Sequence, residues 1–167
     1  MVDDYYPRMR KSLLKSTNAD YEKMHEITIK RARMLDAVPG ATKLFFDCAE
    51  NDLNVRCEIA NAAGMNKNGE IPPNFMKYLG FTRMIIGTVT FESWPGNETR
   101  PRIWEYPGSL VNYLGLPGVG ARHVLGNMLE FPRSPIPVTV NVMSTPKKTG
   151  DAMLEDIMGT MHTLDPI

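Results

Sequence analysis

Three times between residues 55 and 162 an apolar run of strand length gives way to a segment with helical periodicity. Val55–Ala62, Arg83–Val89 and Pro137–Val142 read as strands, and Pro72–Leu79, Val119–Leu129 and Asp151–His162 as the helices that follow them. This alternation constrains the fold more than any other feature, because a strand–helix–strand unit brings its second strand back parallel to the first by a right-handed crossover. An α/β fold with parallel strands is therefore expected. The 167 residues suffice for one domain with a real core. They hold about three such units, not the eight of a complete (β/α)8 barrel, which takes about 250 residues. The Pro- and Gly-rich stretch from Ser93 to about Pro107 reads as a long loop.

The first forty residues have a different texture. Pro7 suits a first helical turn, and Arg8, Arg10, Lys11 and Lys15 follow with no acidic residue between Tyr5 and Lys15. Tyr5, Tyr6, Met9, Leu13 and Leu14 supply an apolar side. A second helix is expected to begin near Asn18 or Asp20, because Tyr21, Met24, Ile27, Met34, Leu35 and Val38 recur at helical spacings. Val38-Pro39-Gly40 closes it. Residues 1–40 thus read as a pair of amphipathic helices, the first one basic, ahead of an α/β part at 41–167. Such a pair either packs as a solvated cover on its own domain, or lies on a membrane surface and guards an entrance for an apolar ligand.

Composition removes several function classes. Nineteen basic and nineteen acidic side chains cancel, so the electrostatic footprint of a protein living on bulk nucleic acid is missing. No run approaches the roughly 18–20 apolar residues of a membrane-spanning helix. Cys48 and Cys57 have no companion ligands at zinc-site spacing, so no metal site is expected and both read as free thiols of a reducing compartment. The N-terminus lacks the basic–apolar–small order of a secretory signal, and Asp3 and Asp4 argue against a transit peptide, which makes a cytoplasmic setting the expectation.

In a parallel α/β layout functional groups collect where strands end. The first strand runs into Ala62-Ala63-Gly64, whose small residues let a flat ligand approach the backbone, with Lys67 beside them. The second ends in Gly87-Thr88-Val89-Thr90, whose hydroxyls can bond a heteroaromatic edge. The third carries Asn141, an amide that both donates and accepts. The run Gly115-Leu116-Pro117-Gly118-Val119-Gly120 lacks the Gly-Lys-Ser/Thr ending of a phosphate loop and does not directly follow a strand.

In this order the pieces resemble one family, the dihydroorotate dehydrogenases, and within it the quinone-linked, membrane-associated class 2 branch. Tyr5-Tyr6-Pro7 with Arg10-Lys11 and Leu14, then His25-Glu26 with Thr28 and Arg31, is similar to that branch's N-terminal helical extension. Ala62-Ala63-Gly64 with Lys67, Gly69 and Glu70 resembles the first flavin-contacting loop. Gly87-Thr88-Val89-Thr90, Pro95-Gly96-Asn97 and Arg100-Pro101-Arg102 resemble the second, and Leu110-Val111-Asn112 with Gly115 the substrate-contacting turn. Val140-Asn141-Val142 stands where the third barrel strand supplies a flavin-binding asparagine.

The resemblance implies a partial (β/α)8 TIM barrel of about three β/α units behind the helical pair. The implied reaction oxidises dihydroorotate to orotate with FMN as cofactor and a quinone as final acceptor. It implies that Ala62, Ala63, Gly64, Lys67, Thr88 and Asn141 contact the flavin, and that Lys67 and Asn112 contact the substrate. The catalytic base and the phosphate cradle are expected beyond Ile167, so the chain is expected to need a protein partner or second copy that completes the barrel. Peripheral contact with the cytoplasmic side of a membrane goes with this reading. Two alternatives accompany it: a non-catalytic relative acting as a docking subunit, and a flavin enzyme for another cyclic amide or imide. The latter follows from Leu116-Pro117-Gly118 standing where the class 2 pattern has Phe-Asn-Asn, and Cys57-Glu58 in place of Asn-Pro.

Overall fold

Pro7 and the absence of glycine favour helix from the first residues onward, and α1 spans Tyr5–Ser16. Asn18 and Ala19 turn the chain with positive φ. Asp20 then caps α2 (Tyr21–Asp36), its carboxylate accepting from the backbone N–H groups of Glu22 and Lys23 at 3.1 Å each. These helices belong to a computed structural model that describes residues 5–38, 58–131 and 133–167. The expected closing residues Pro39 and Gly40, both cysteines and the first half of the expected strand Val55–Ala62 lie outside the described residues.

The remaining elements follow in the order α3 (Pro73–Tyr78), β1 (Met84–Val89), β2 (Ile103–Tyr106), β3 (Ser109–Asn112), α4 (Ala121–Leu129), β4 (Val138–Val142) and α5 (Asp151–Leu164). β1 and β4 pair in parallel, from Met84 opposite Val138 to Gly87 opposite Asn141, with a register shift between Gly87 and Val89. This is the strand–helix–strand arrangement that the alternation predicts. Gly87 permits the close pairing, because a Cβ there would lie 2.4 Å from the Asn141 carbonyl oxygen and its φ is +109°.

Two expectations are corrected. In its described part the first strand is not a strand: Ala60 makes a single parallel bridge to Arg83, just before β1, and Asn66, beyond the expected strand, makes one to Ile86. The reason is that side chains replace the ladder. Asn61 accepts from the Ile85 N–H at 2.8 Å and donates to the Ile85 carbonyl at 2.8 Å, and the Thr82 hydroxyl accepts from the Ile59 N–H at 2.8 Å. The second correction concerns the long loop from Ser93 to Pro107, which contains β2. Ile103–Tyr106 pairs antiparallel with Ser109–Asn112 across Pro107-Gly108, where proline fixes one turn residue and Gly108 takes φ +75°. That proline–glycine pair between two runs holding Ile103, Trp104, Tyr106 and Val111 was the signal for a hairpin.

One hydrophobic cluster joins the parts. Met76, Met84, Ile86, Ala121 and Val124 are almost wholly buried, and Ile29 and Ala32 of α2 pack into the same cluster with Ile71 and Leu164. The helical pair is also tied to the body by charge. Glu22 pairs with Arg100 at 2.9 Å and Arg102 at 2.5 Å, Arg10 with Glu105 at 3.0 Å, and Arg33 with Glu130. α5 turns Asp156, Thr160 and Leu164 inward, yet its outer side carries the exposed Leu154, Met158 and Met161. Among the described residues β4 has β1 as its one neighbour, leaving its other edge open.

Candidate functional site

The C-terminal ends of β1 and β4 and the loops around them build the site, as a parallel arrangement requires. Segment 62–67 is drawn over the end of β1 by the bonds Gly64 N–H to Gly87 O, 2.7 Å, and Gly87 N–H to Asn66 O, 3.2 Å. Asn66 is fully buried and ties the loop to Ile71 with both atoms of its amide. On the opposite side stands the turn that follows β3, residues 112–116. Between them lies a cleft of about 340 Å³ lined by Ala63, Gly64, Lys67 and Thr88 on one wall and Asn112, Leu114, Gly115 and Leu116 on the other. Five of the seven residues expected at the site therefore meet in one cleft. Ala62 and Asn141 do not line it; both are exposed at the same strand ends, Asn141 directly opposite Gly87.

The donor set has an informative property. The side chains of Lys67, Thr88, Asn112 and Asn141 make no hydrogen bond or ion pair to any described residue. Nearby amides such as Asn61, Asn66 and Asn97 are engaged in holding loops. An ammonium, a hydroxyl and two amides thus stand with free bonding capacity around small residues, and a Cβ on Gly64 would meet nothing within 4 Å. This chemistry fits a flat heteroaromatic group with carbonyl and imide edges, the kind of group a flavin presents. Lys67 is half-buried, and its pKa lies below the ordinary lysine value through burial, with the Arg102 charge adding to the effect and Glu22 opposing it.

A second cleft, also about 340 Å³, opens on the other side of Lys67 beneath α2. Gly64, Lys67 and Leu114 belong to both clefts, and α2 contributes Glu22, His25 and Ile29 to the second, facing Trp94, Arg102 and Val119. Glu22 is held ionised below the usual carboxylate range, chiefly by the Arg102 guanidinium. The loops at the strand ends are cross-linked as well. Asp156, buried on α5, accepts from the Thr145 N–H at 2.6 Å and the Thr145 hydroxyl at 2.9 Å and pairs with Lys148, which reaches Glu92 at 2.7 Å. Thr145 in turn accepts from the Glu92 N–H. Sequence reasoning missed Asp156, although its signal was present: it shares the i, i+4, i+8 inner face with Thr160 and Leu164. Among the described residues no group of acidic, histidine or cysteine side chains is placed to hold a metal ion, and no helix is long and apolar enough to cross a membrane.

The family model described as dihydroorotate dehydrogenase matches residues 48–167. The chain belongs to the dihydroorotate dehydrogenase family. The relatives it resembles are of the quinone type. It is 31% identical over 135 residues to the dihydroorotate dehydrogenase (quinone) of Deinococcus deserti, covering 74% of this chain and 37% of that one. With the dihydroorotate dehydrogenase (quinone) of Halobacterium salinarum it shares 35% over 133 residues, covering 72% and 37%. Among solved structures it superposes on the dihydroorotate dehydrogenase of Eimeria tenella in complex with ferulenol with a TM-score of 0.64. That likeness has 21% identity, covers 86% of this chain and 40% of the other, and speaks for the fold. This member of the family thus combines N-terminal helices with a mixed α/β part, and spans under two-fifths of the length of these curated relatives.

Proposed function

We propose that the chain forms the N-terminal part of an FMN-dependent dihydroorotate dehydrogenase-like oxidoreductase, with a helical extension at 1–40 and a partial β/α barrel at 41–167. The observation that carries this reading is the set of unengaged polar side chains around one open ledge of small residues, shared between two clefts. When bound there, FMN would accept a hydride from dihydroorotate and pass the electrons to a quinone.

The chain's own residues have separable tasks. Ala62, Ala63 and Gly64 form the floor against which a planar ring lies, since nothing larger than a methyl group stands there. Thr88 and Asn141 supply edge bonds. Lys67 projects between ring and substrate, where its cation stabilises negative charge on either. Asn112, across the cleft, orients the substrate's amide edge. The second cleft beneath α2 suits an apolar acceptor that approaches the same ring from the helical side, and the basic, amphipathic α1 suits peripheral contact with an anionic membrane surface. The open edge of β4 and the apolar outer side of α5 are where further β/α units, carrying base and phosphate cradle, would pack.

Titration of the purified chain with FMN tests the reading, followed by quenching of flavin fluorescence. Saturable one-to-one binding is expected. Lys67→Ala should weaken it about tenfold or more, the loss of one charged hydrogen bond at about 1.5–3 kcal/mol. Absence of saturable binding by the wild-type chain would overturn the reading that this chain holds the flavin by itself, and equal affinity of the variant would remove Lys67 from it.

A further inference from the structure

The wall formed by residues 112–116 begins at the last residue of β3 and faces Lys67 and Thr88 across the first cleft. Three bonds hold it. The Tyr113 N–H donates to the Arg102 carbonyl at 2.7 Å, the Asn97 N–H donates to the Leu114 carbonyl at 3.0 Å, and the Asn97 side-chain amide donates to the Tyr113 carbonyl at 3.0 Å. Glycines permit this closeness. A Cβ on Gly115 would lie 2.5 Å from the Asn97 side chain, and one on Gly96 would lie 2.2 Å from the Leu114 carbonyl oxygen.

Segment 95–97 is in turn held from behind. The Arg102 side chain, 5% exposed, donates to the Pro95 carbonyl at 2.8 Å and the Asn97 carbonyl at 3.3 Å. Nε and Nη2 form a fork on Glu22 of α2 at 2.9 and 2.5 Å. A buried guanidinium keeps one orientation while its charge is compensated and its donors are bound on both sides. The carboxylate that does this comes from a helix eighty residues away in sequence.

We propose that Arg102 and Asn97 are positioning residues for the 112–116 wall, and that Glu22 holds Arg102 in place for that task. This rests on the reading that Asn112 contacts the substrate. Asn97 does not line the first cleft and neither does Arg102, so their hydrogen bonds reach a ligand there through the wall, and only the Arg102 and Glu22 charges also act on Lys67; exchange at the wall separates the two routes. The helical extension is thereby linked to the substrate side of the site as well as to the cleft beneath α2.

The test uses the full chain and orotate as probe. Asn97→Asp keeps the side chain's size but loses its donor. Glu22→Gln keeps the size but removes the charge. Glu105→Gln is the control: it loosens the tie from Arg10 and Tyr21 to the hairpin and leaves the Arg102 fork untouched. In Asn97→Asp and Glu22→Gln, hydrogen exchange at the amides of Tyr113, Leu114 and Gly115 should accelerate at least tenfold while β1 and β4 stay protected. The dissociation constant for orotate should rise at least fivefold. Glu105→Gln should change neither. Unaltered exchange at 113–115 in the two variants, acceleration spread evenly over β1 and β4, or an equal effect of Glu105→Gln would each overturn the proposal. If the wild-type chain does not bind orotate, the substrate reading of Asn112 fails, and the exchange pattern alone decides whether these residues position the wall.

Discussion

Replacing Asp156 with alanine probes how firmly the two strand-end loops are joined. The residue is 3% exposed, and its carboxylate accepts from the Thr145 N–H at 2.6 Å and the Thr145 hydroxyl at 2.9 Å while pairing with Lys148. Breaking a fully buried ion pair costs about 3–5 kcal/mol because a bare charge stays behind. That figure is an upper bound here, since the Lys148 side chain is 28% exposed and keeps Glu92 at 2.7 Å. What remains uncompensated is the Thr145 N–H, at about 1–3 kcal/mol for a buried donor. Adding the lost packing of the side chain gives about 2–3 kcal/mol. Urea unfolding of the purified chain, followed by the fluorescence of Trp94 and Trp104, should show the midpoint fall by about 1 M for an m-value near 2 kcal/mol/M.

The same carboxylate sets a pH signature. Burial alone would raise its pKa, but the Lys148 ammonium and the two Thr145 donors outweigh that and leave it below the ordinary aspartate value. A folded-state pKa below the unfolded one stabilises the protein above the unfolded value, about 3.9, and the benefit disappears as pH falls through the folded value. The difference between wild type and Asp156→Ala should therefore be constant near neutrality and shrink below about pH 4. A neutral-pH loss within about 0.5 kcal/mol, the range of an ordinary surface substitution, would refute the reasoning. So would a difference that persists undiminished at pH 2.

Other expectations concern the frame around the site. Gly87→Ala should destabilise the chain by more than about 2 kcal/mol and separate the ends of β1 and β4, because the new Cβ meets the Asn141 carbonyl oxygen at 2.4 Å and φ is +109°; lost FMN quenching together with a lowered thermal midpoint would register it. Ile29→Ala should cost about 2–4 kcal/mol, since Ile29 lies in the central cluster, and one cooperative transition by far-UV circular dichroism is expected rather than early loss of the helical pair alone. Gly115→Ala should destabilise the chain by about 1–3 kcal/mol and weaken orotate binding, because φ is +70° and its Cβ would push the wall off Asn97.

Much of the fold was legible because it rests on local signals. Asp20, Pro73 and Gly120 mark helix starts, and the alternating runs give β1, β4 and the helices between them to within a few residues. The first strand was misread because Val55–Ala62 has strand composition, whereas the chain satisfies β1 with the Asn61 amide, and composition does not reveal what a side chain will bond. The hairpin was hidden by the prolines and glycines around it, although Ile103, Trp104 and Tyr106 are strand-favouring residues. Of the site, the residues that face the cleft were visible as strand-end motifs. The tasks of the residues behind it were not: Asp156 shows only as part of the inner face of α5 and Asn97 only within a loop motif, while Glu22 has its partner eighty residues away, and what each side chain bonds leaves no pattern to read.

The ties between the helical pair and the body also order events in time. Glu22 waits for Arg102 across 80 residues, Arg10 for Glu105 across 95 and Arg33 for Glu130 across 97. At a synthesis rate of about 5–20 residues per second, each interval lasts roughly 4–20 seconds. During it Leu13, Ile29 and Ala32 have helices to sit on but no core to enter. A nascent amphipathic pair in that condition keeps its apolar side uncovered until the segment from Arg102 to Glu130 has been made.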